Sequence, residues 1–227
     1  FKLLLLALAV AALLGLALWQ YHRGREKEVL AQHYASAMLA PPALLDRAYA
    51  AAHTPGVTMV PVHVRGTYLA DRQMLLDSQS HGDQPGYHVW TPLRTEDGAL
   101  VVIDRGWIPH SLRKSFTSPP GAAVDVRGFW RRLPSPAIRL GADNCSGKNW
   151  PRVVEWPTAK DLACLLGETP VAGVVDLDPR APDGFVRNWN PVQEFPPERH
   201  FAYAVQWLLL AVTLLVLSLR FMYKRSR

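Results

Sequence analysis

The chain has 227 residues, 49% of them hydrophobic, with 25 Lys and Arg against 19 Asp and Glu for a formal net charge of +6. All the acids lie within residues 22–199 together with 20 of the bases, so that stretch is near +1, and the surplus is Lys2, Arg220, Lys224, Arg225 and Arg227. Charge placed at the two ends rather than as a patch on the middle excludes nucleic acid as a partner, and the middle is long enough for one sizeable core but not for a second full domain.

Leu3 to Trp19 carries no charge. A helix rises about 1.5 Å per residue and a bilayer core is about 30 Å thick, so residues 1–21 are predicted to span a membrane. Ala17-Leu18-Trp19 is a poor small-residue cleavage site, which favours an uncleaved anchor over a signal peptide. Glu26 to Met38 holds good helix formers and no Pro, so the helix is predicted to run on until Pro41-Pro42. Ala43 to Ala52 is a short helical candidate, closed by Thr54-Pro55-Gly56. Short strands with turn punctuation follow: Val60 to Tyr68, Met74 to Asp77, Tyr87 to Pro92, Leu100 to Arg105, Val124 to Trp130, Val153 to Trp156 and Val171 to Leu177. Thr95-Glu96-Asp97-Gly98 reads as a hairpin turn. One helix interrupts them, opened by Pro157-Thr158 with Asp161 completing an approximate capping box, and closed by Gly167.

Pro-rich chain from Asn190 to Arg199 leads to a second uncharged run, Phe201 to Leu219, predicted as a span over residues 200–220, with a basic tail at 221–227. The fold class expected is an α+β membrane protein: two transmembrane helices flanking one mainly-β domain, residues 22–199, built as a small sandwich or partly closed barrel with a short helix. Basic residues beside the spans put both termini in the cytoplasm or matrix and the domain on the outer side, although Arg23, Arg25 and Lys27 run against that rule. Cys145 and Cys164 are either two unpaired small residues or a disulfide, which a periplasm or intermembrane space would permit.

Four blocks carry a resemblance. Trp19-Gln20 with Arg23 and Lys27 marks the exit of the first span, and Gly66-Thr67-Tyr68 precedes a short strand. Gly86-Tyr87-His88-Val89-Trp90-Thr91-Pro92-Leu93 leads into Asp104-Arg105-Gly106-Trp107-Ile108-Pro109, and Arg199-His200-Phe201-Ala202-Tyr203-Ala204-Val205-Gln206-Trp207 enters the second span. In order and layout the chain resembles the surfeit-locus family of cytochrome c oxidase assembly factors. The resemblance implies a non-enzymatic role in building the haem–copper oxidase, around insertion or retention of haem a in subunit I. It implies subunit I as partner and a haem a synthase as an upstream one.

His200 is the foremost candidate for chemistry, since a neutral imidazole nitrogen is a good axial ligand for haem iron. Its helical neighbours Tyr203, Ala204 and Trp207 would form one stripe, a ligand beside two flat rings, suited to a transiently held haem a. The alternative is an aromatic belt at the membrane surface with a His at a helix end. Gln206, about 240° around the helix from His200, reads as polar glue to the first span or to an oxidase helix. With Trp207 it makes a docking edge, and Gln20 is expected at the interface. Arg105 either binds a haem propionate or an oxidase acid, or pairs with a carboxylate at a structural corner whose core is Trp107; Trp107 is the further partner-binding candidate. His88 shares a strand face with Trp90 and reads as a strand residue rather than a ligand. Residues 131–150 offer no motif.

The reading from a different class is a stable accessory subunit of the finished oxidase with no cofactor role. A membrane-anchored hydrolase or oxidoreductase would need a pocket of perturbed titratable groups within residues 60–180, and no Gly-x-Ser-x-Gly, His-Glu-x-x-His, P-loop or dinucleotide fingerprint occurs. Abundant Ala, Leu, Arg and Pro favours a bacterial plasma membrane, with a periplasmic domain, over the mitochondrial inner membrane.

Overall fold

A computed structural model describes residues 2–55, 59–133, 144–145, 149–190 and 195–225. The chain divides into two compact units, Phe1–Ala35 with Asn190–Arg227, and Ser36–Trp189.

The first unit is helical. Helix α1 runs Lys2–Leu39, so the continuation past the apolar run is as the sequence indicates. A second long helix covers Pro197–Arg225. Both are long and apolar enough to cross a membrane, with mean hydropathy 2.4 and 2.1 over their most apolar windows. Their Leu, Val and Phe side chains stay exposed, as at Leu3, Leu209, Leu217 and Phe221. Water would penalise that surface, whereas lipid covers it.

The second unit is β-rich. Its elements are β1 (Ala43–Leu44), α2 (Arg47–Ala52), β2 (Val60–Tyr68), β3 (Met74–His81), β4 (Gln84–Thr95), β5 (Leu100–Pro109), β6 (Ala123–Arg131), β7 (Arg152–Val154), α3 (Ala159–Leu166) and β8 (Val174–Leu177); the long C-terminal helix, Pro197–Arg225, is then α4. The sheet order β1-β2-β6-β8-β5-β4-β3-β7, with β2 also paired to β4, closes five strands into a ring: β2, β4, β5, β8, β6 and back to β2. Within the ring β5 and β8 alone run parallel. This is the Greek-key connectivity of an OB-type barrel, with the helix between β6 and β8. The barrel alternative therefore holds over the sandwich.

Closure is made by three residue pairs, from Gly66 opposite Thr95 to Tyr68 opposite Leu93. The interior is apolar: Leu45, Val62, Val64, Leu93, Val101, Ile103, Val126, Trp130, Val175 and Leu177 form one cluster. On the other side of the wall α3 packs Leu162 and Leu165 onto Trp90, Val102, Val154 and Val174. Helix α3 carries the full capping box between Thr158 and Asp161 and ends on Gly167, as its sequence indicates. Helix α3 covers Val102, a second cluster covers Ile108, and β5 is buried on both faces from Leu100 to Ile108.

Strands β3, β4 and β5 run past their expected ends, to His81, over Gln84–Thr95 and to Pro109, and three further boundaries differ for local reasons. Ala43–Leu44 bridges in parallel to Val62 and His63, so the helix expected from Ala43 begins only at Arg47, where Asp46 accepts the Tyr49 N–H as its cap. β8 starts at Val174 rather than Val171, after Gly173 with φ +91°. β7 stops at Val154 because Trp156 turns to φ +45°. Cys145 and Cys164 form a disulfide with Cα atoms 6.0 Å apart, tying the chain before β7 to α3.

Candidate functional site

Two polar clusters stand out, one in each unit. In the helical unit His200, only 8% exposed, directs Nδ1 to the Gln20 side-chain oxygen at 2.7 Å. An amide oxygen only accepts, so Nδ1 carries the proton, and in the neutral ring Nε2 keeps its lone pair. The approach of the helices is close here: a Cβ on Gly24 would meet the Phe201 ring at 2.6 Å. Tyr21 and Phe201 lie with ring centroids 5.9 Å apart. Gln20 and Gly24 thus present one face of α1 to consecutive residues of α4.

Phe195 stands edge-on to His200 at 4.4 Å and stacks parallel to Tyr203 at 6.1 Å. Tyr203 is 44% exposed, Trp207 is half-buried and Gln206 is exposed. Among the described residues the amide that meets a neighbouring helix is Gln20, while Gln206 has no hydrogen-bond partner. Gln20 was not legible as a partner of His200, because it reaches it only through the return of the chain.

In the β-rich unit a buried ionic cluster lies on the outer face of the barrel wall. Asp104 of β5 and Asp176 of β8 are paired neighbours, both fully buried. Asp104 accepts the Trp90 indole N–H and the Gly106 N–H, each at 2.9 Å. The His88 Nδ1 lies 2.8 Å and 3.0 Å from its two oxygens. Arg131 Nε donates to Asp176 Oδ2 at 2.5 Å, and its NH2 lies 3.9 Å from Asp104 Oδ2. Asp176 Oδ1 has no partner among the described residues.

Local sequence explains how the cluster is held. Gly106 sits at φ +105°, and a Cβ there would lie 2.6 Å from the Val186 oxygen. Freed of a side chain, this turn lets residues 185–186 bond to Arg105 and Trp107. That brings Trp189 over His88, ring centroids 5.5 Å apart, with the Trp189 indole donating to the Leu177 carbonyl at 2.7 Å.

The electrostatics follow from burial against partners. Burial opposes the charged form of His88, but the Asp104 carboxylate outweighs it and raises the imidazole above its ordinary value. Burial likewise works against ionised Asp104, yet His88, Arg131 and the Gly106 N–H hold its carboxyl below the usual range. For Asp176 burial prevails over Arg131 and pushes the carboxyl up to about 6. Among the described residues no group of three or more His, Cys, Asp or Glu could hold a metal ion.

Arg105 is 1% exposed and faces a different set. Its guanidinium donates to the Asp183 carbonyl at 2.8 Å, to the Gln73 amide oxygen at 3.0 Å and to the Thr117 carbonyl at 3.3 Å, and lies 4.9 Å from the centre of the Phe185 ring. The carboxylate partner expected at this corner is replaced by carbonyl and amide oxygens, because the loops after β5 and β8 fold over the side chain. Burial and those contacts leave no exposed donor for a propionate. Trp107 is buried as expected at the corner, against His81.

His88, Trp90 and Asp104 all come from the two blocks quoted above, but their joint role was missed, as were Arg131 and Asp176. The signal available was an acid inside an apolar run, Val101-Val102-Ile103-Asp104 and Val174-Val175-Asp176-Leu177. A buried acid of that kind needs a partner.

No curated protein matches the chain. The pattern that defines the SURF1 family matches residues 7–212, covering both long helices' apolar runs in large part and the whole barrel. The chain belongs to the SURF1 family, whose members are assembly factors associated with cytochrome oxidase.

Proposed function

We propose that this protein is a two-pass membrane factor that assists haem a insertion or retention in subunit I of cytochrome c oxidase, with His200 as the iron-contacting side chain. The observation that carries the reading is the hydrogen bond from His200 to Gln20. It orients the imidazole and leaves Nε2 as the basic nitrogen, the form that ligates iron, and a ligating His ordinarily has its other ring nitrogen held in this way. Tyr203 and Trp207, farther along the same helix, supply flat surface for the macrocycle or for an oxidase helix, and exposed Gln206 supplies a polar contact for that helix. Haem a is here cargo, and the role of this chain is to hold and orient it.

The basic residues at the C-terminal end of α4, Arg220, Lys224 and Arg225, support cytoplasmic termini and a periplasmic domain in a bacterial plasma membrane. A haem a synthase is the upstream partner this role requires. Wild type and His200→Ala should be purified from a host that makes haem a. Loss of most co-purified haem, with the thermal midpoint of the β-rich unit unchanged, is the expected result; equal haem content removes His200 from the reading. Enrichment on immature oxidase is expected, whereas constant stoichiometry with active enzyme would instead make the protein an accessory subunit.

A further inference from the structure

A pocket of about 620 Å³ opens on the β-rich unit, away from both clusters in composition and in lining. Its walls come from three connections of the barrel: residues 70–73 after β2, residues 113–118 after β5, and Trp150-Pro151 between β6 and β8. Loops after the first strand and between the last two strands are where OB-type barrels take their ligands. The volume lies within the range of small-molecule sites.

The lining is cationic and aromatic. Arg113 and Lys114 are exposed at the wall, and Asp71 is the one acid lining it among the described residues. Trp150 and Phe116 give two flat apolar surfaces, and the Trp150 ring is flanked by the guanidinium carbons of Arg72 and Arg152, each 5.5 Å from its centre. The floor is Gln73, buried at 6% exposure, whose Nε2 donates to the Ala70 carbonyl and whose Oε1 accepts from Arg105 and Thr91. The floor is therefore fixed before any ligand arrives.

We propose that this pocket binds a small planar anion, its charged groups met by Arg113 and Lys114 and its ring by Trp150. Guanidinium and ammonium groups at the wall reward negative charge, and the aromatic side chains of Trp150 and Phe116 in the same lining reward a flat ring. The purely structural alternative leaves Arg113 and Lys114 as ordinary solvated surface. It accounts less well for a concave site with a rigid polar floor at the barrel's loop end.

The test uses the full chain in neutral detergent and pyrene-1,3,6,8-tetrasulfonate, a fluorescent planar polyanion, with pyrophosphate as a ring-free competitor. Saturable binding that weakens with salt is expected. The Arg113→Glu, Lys114→Glu double variant changes two exposed side chains, so the fold should keep its thermal midpoint while binding weakens at least tenfold. Trp150→Leu should weaken the pyrene probe several-fold and leave inhibition by pyrophosphate unchanged. His200→Ala should leave probe binding unchanged, which separates this site from the haem reading. Equal binding by wild type and the charge-reversed variant, or no saturable binding, overturns the proposal. Loss of probe and pyrophosphate preference together in Trp150→Leu would overturn its ring-specific half.

Discussion

Ile103 and Asp104 are consecutive residues of one strand, both fully buried, and they face opposite solutions to the same problem. Ile103 points into the barrel, where it joins an apolar cluster and stability comes from excluded water and close packing. Asp104 points outward, where a carboxylate is buried only because His88, Trp90, Gly106 and Arg131 surround it, with Trp189 over His88. The inner face tolerates change in proportion to the volume lost. The outer face depends on every partner being present, since a half-satisfied buried network costs more than an apolar one.

Asp104→Ala should cause the largest loss. It removes the acceptor that His88, the Trp90 indole and the Gly106 N–H share, and leaves Arg131 with Asp176 alone, so about 3–5 kcal/mol should disappear. Ile103→Ala removes buried methylene groups beside it, with a cost of about 2–5 kcal/mol set by how far the barrel collapses. Thermal unfolding in detergent, followed by the near-ultraviolet signal of the tryptophans, compares the two. The sharper contrast is in salt and pH. The Ile103→Ala deficit should be constant across conditions, whereas the Asp104→Ala deficit should shrink at acid pH, where the wild-type carboxylate is itself lost.

The sign of the wild-type pH dependence follows from the three titrating members. Asp176, raised to about 6 chiefly by burial, carries no penalty below its ordinary value and an increasing one as pH rises from 3.8 to about 6. A shift of that size corresponds to about 3 kcal/mol once complete. His88, raised by Asp104 against the opposing effect of burial, contributes fully below its ordinary 6.5 and loses that contribution as pH climbs through its folded value. Asp104, held low, contributes above 3.8 and loses its contribution only as pH falls through its folded value. The barrel should therefore melt higher at pH 5 than at pH 8, and decline again in strong acid. Asp176→Asn should flatten the slope between pH 4 and 6 while retaining an acceptor for Arg131. An unchanged slope in that variant would mean that Asp176 does not titrate there.

The same contrast explains what could be read from the sequence. The inner face announces itself by alternation, so Val60–Tyr68 is bounded as predicted and the other expected strands differ only at their ends, while the two-residue β1 falls where a helix was expected. Ring closure could not be read, because it depends on how far the sheet coils before Gly66-Thr67-Tyr68 meets Leu93-Arg94-Thr95. The outer-face cluster was hidden for a similar reason: Asp104, Arg131 and Asp176 come from three strands and meet only through their register. The His200–Gln20 hydrogen bond joins residues 180 apart, and only the antiparallel return of two long helices could reveal it. By contrast Thr158, Asp161 and Gly167 act on their own helix, and their roles were legible from spacing alone.

That last case gives the smallest and most local way to probe the two faces. Thr158→Ala removes the side-chain acceptor for the Asp161 N–H and should cost about 1 kcal/mol. Helix α3 covers the outer wall through Leu162 and Leu165, which pack in one apolar cluster with Trp90, Val102, Val154 and Val174. Fraying its first turn should lower the melting point modestly without altering the pH slope, and hydrogen exchange should rise in residues 158–162 while β5 stays protected. Faster exchange at Asp104 in this variant would show that the helical cover and the buried charges stand or fall together. Unaltered exchange there would show that the network is closed by its own partners and by Trp189, with α3 packing on a wall that is already complete.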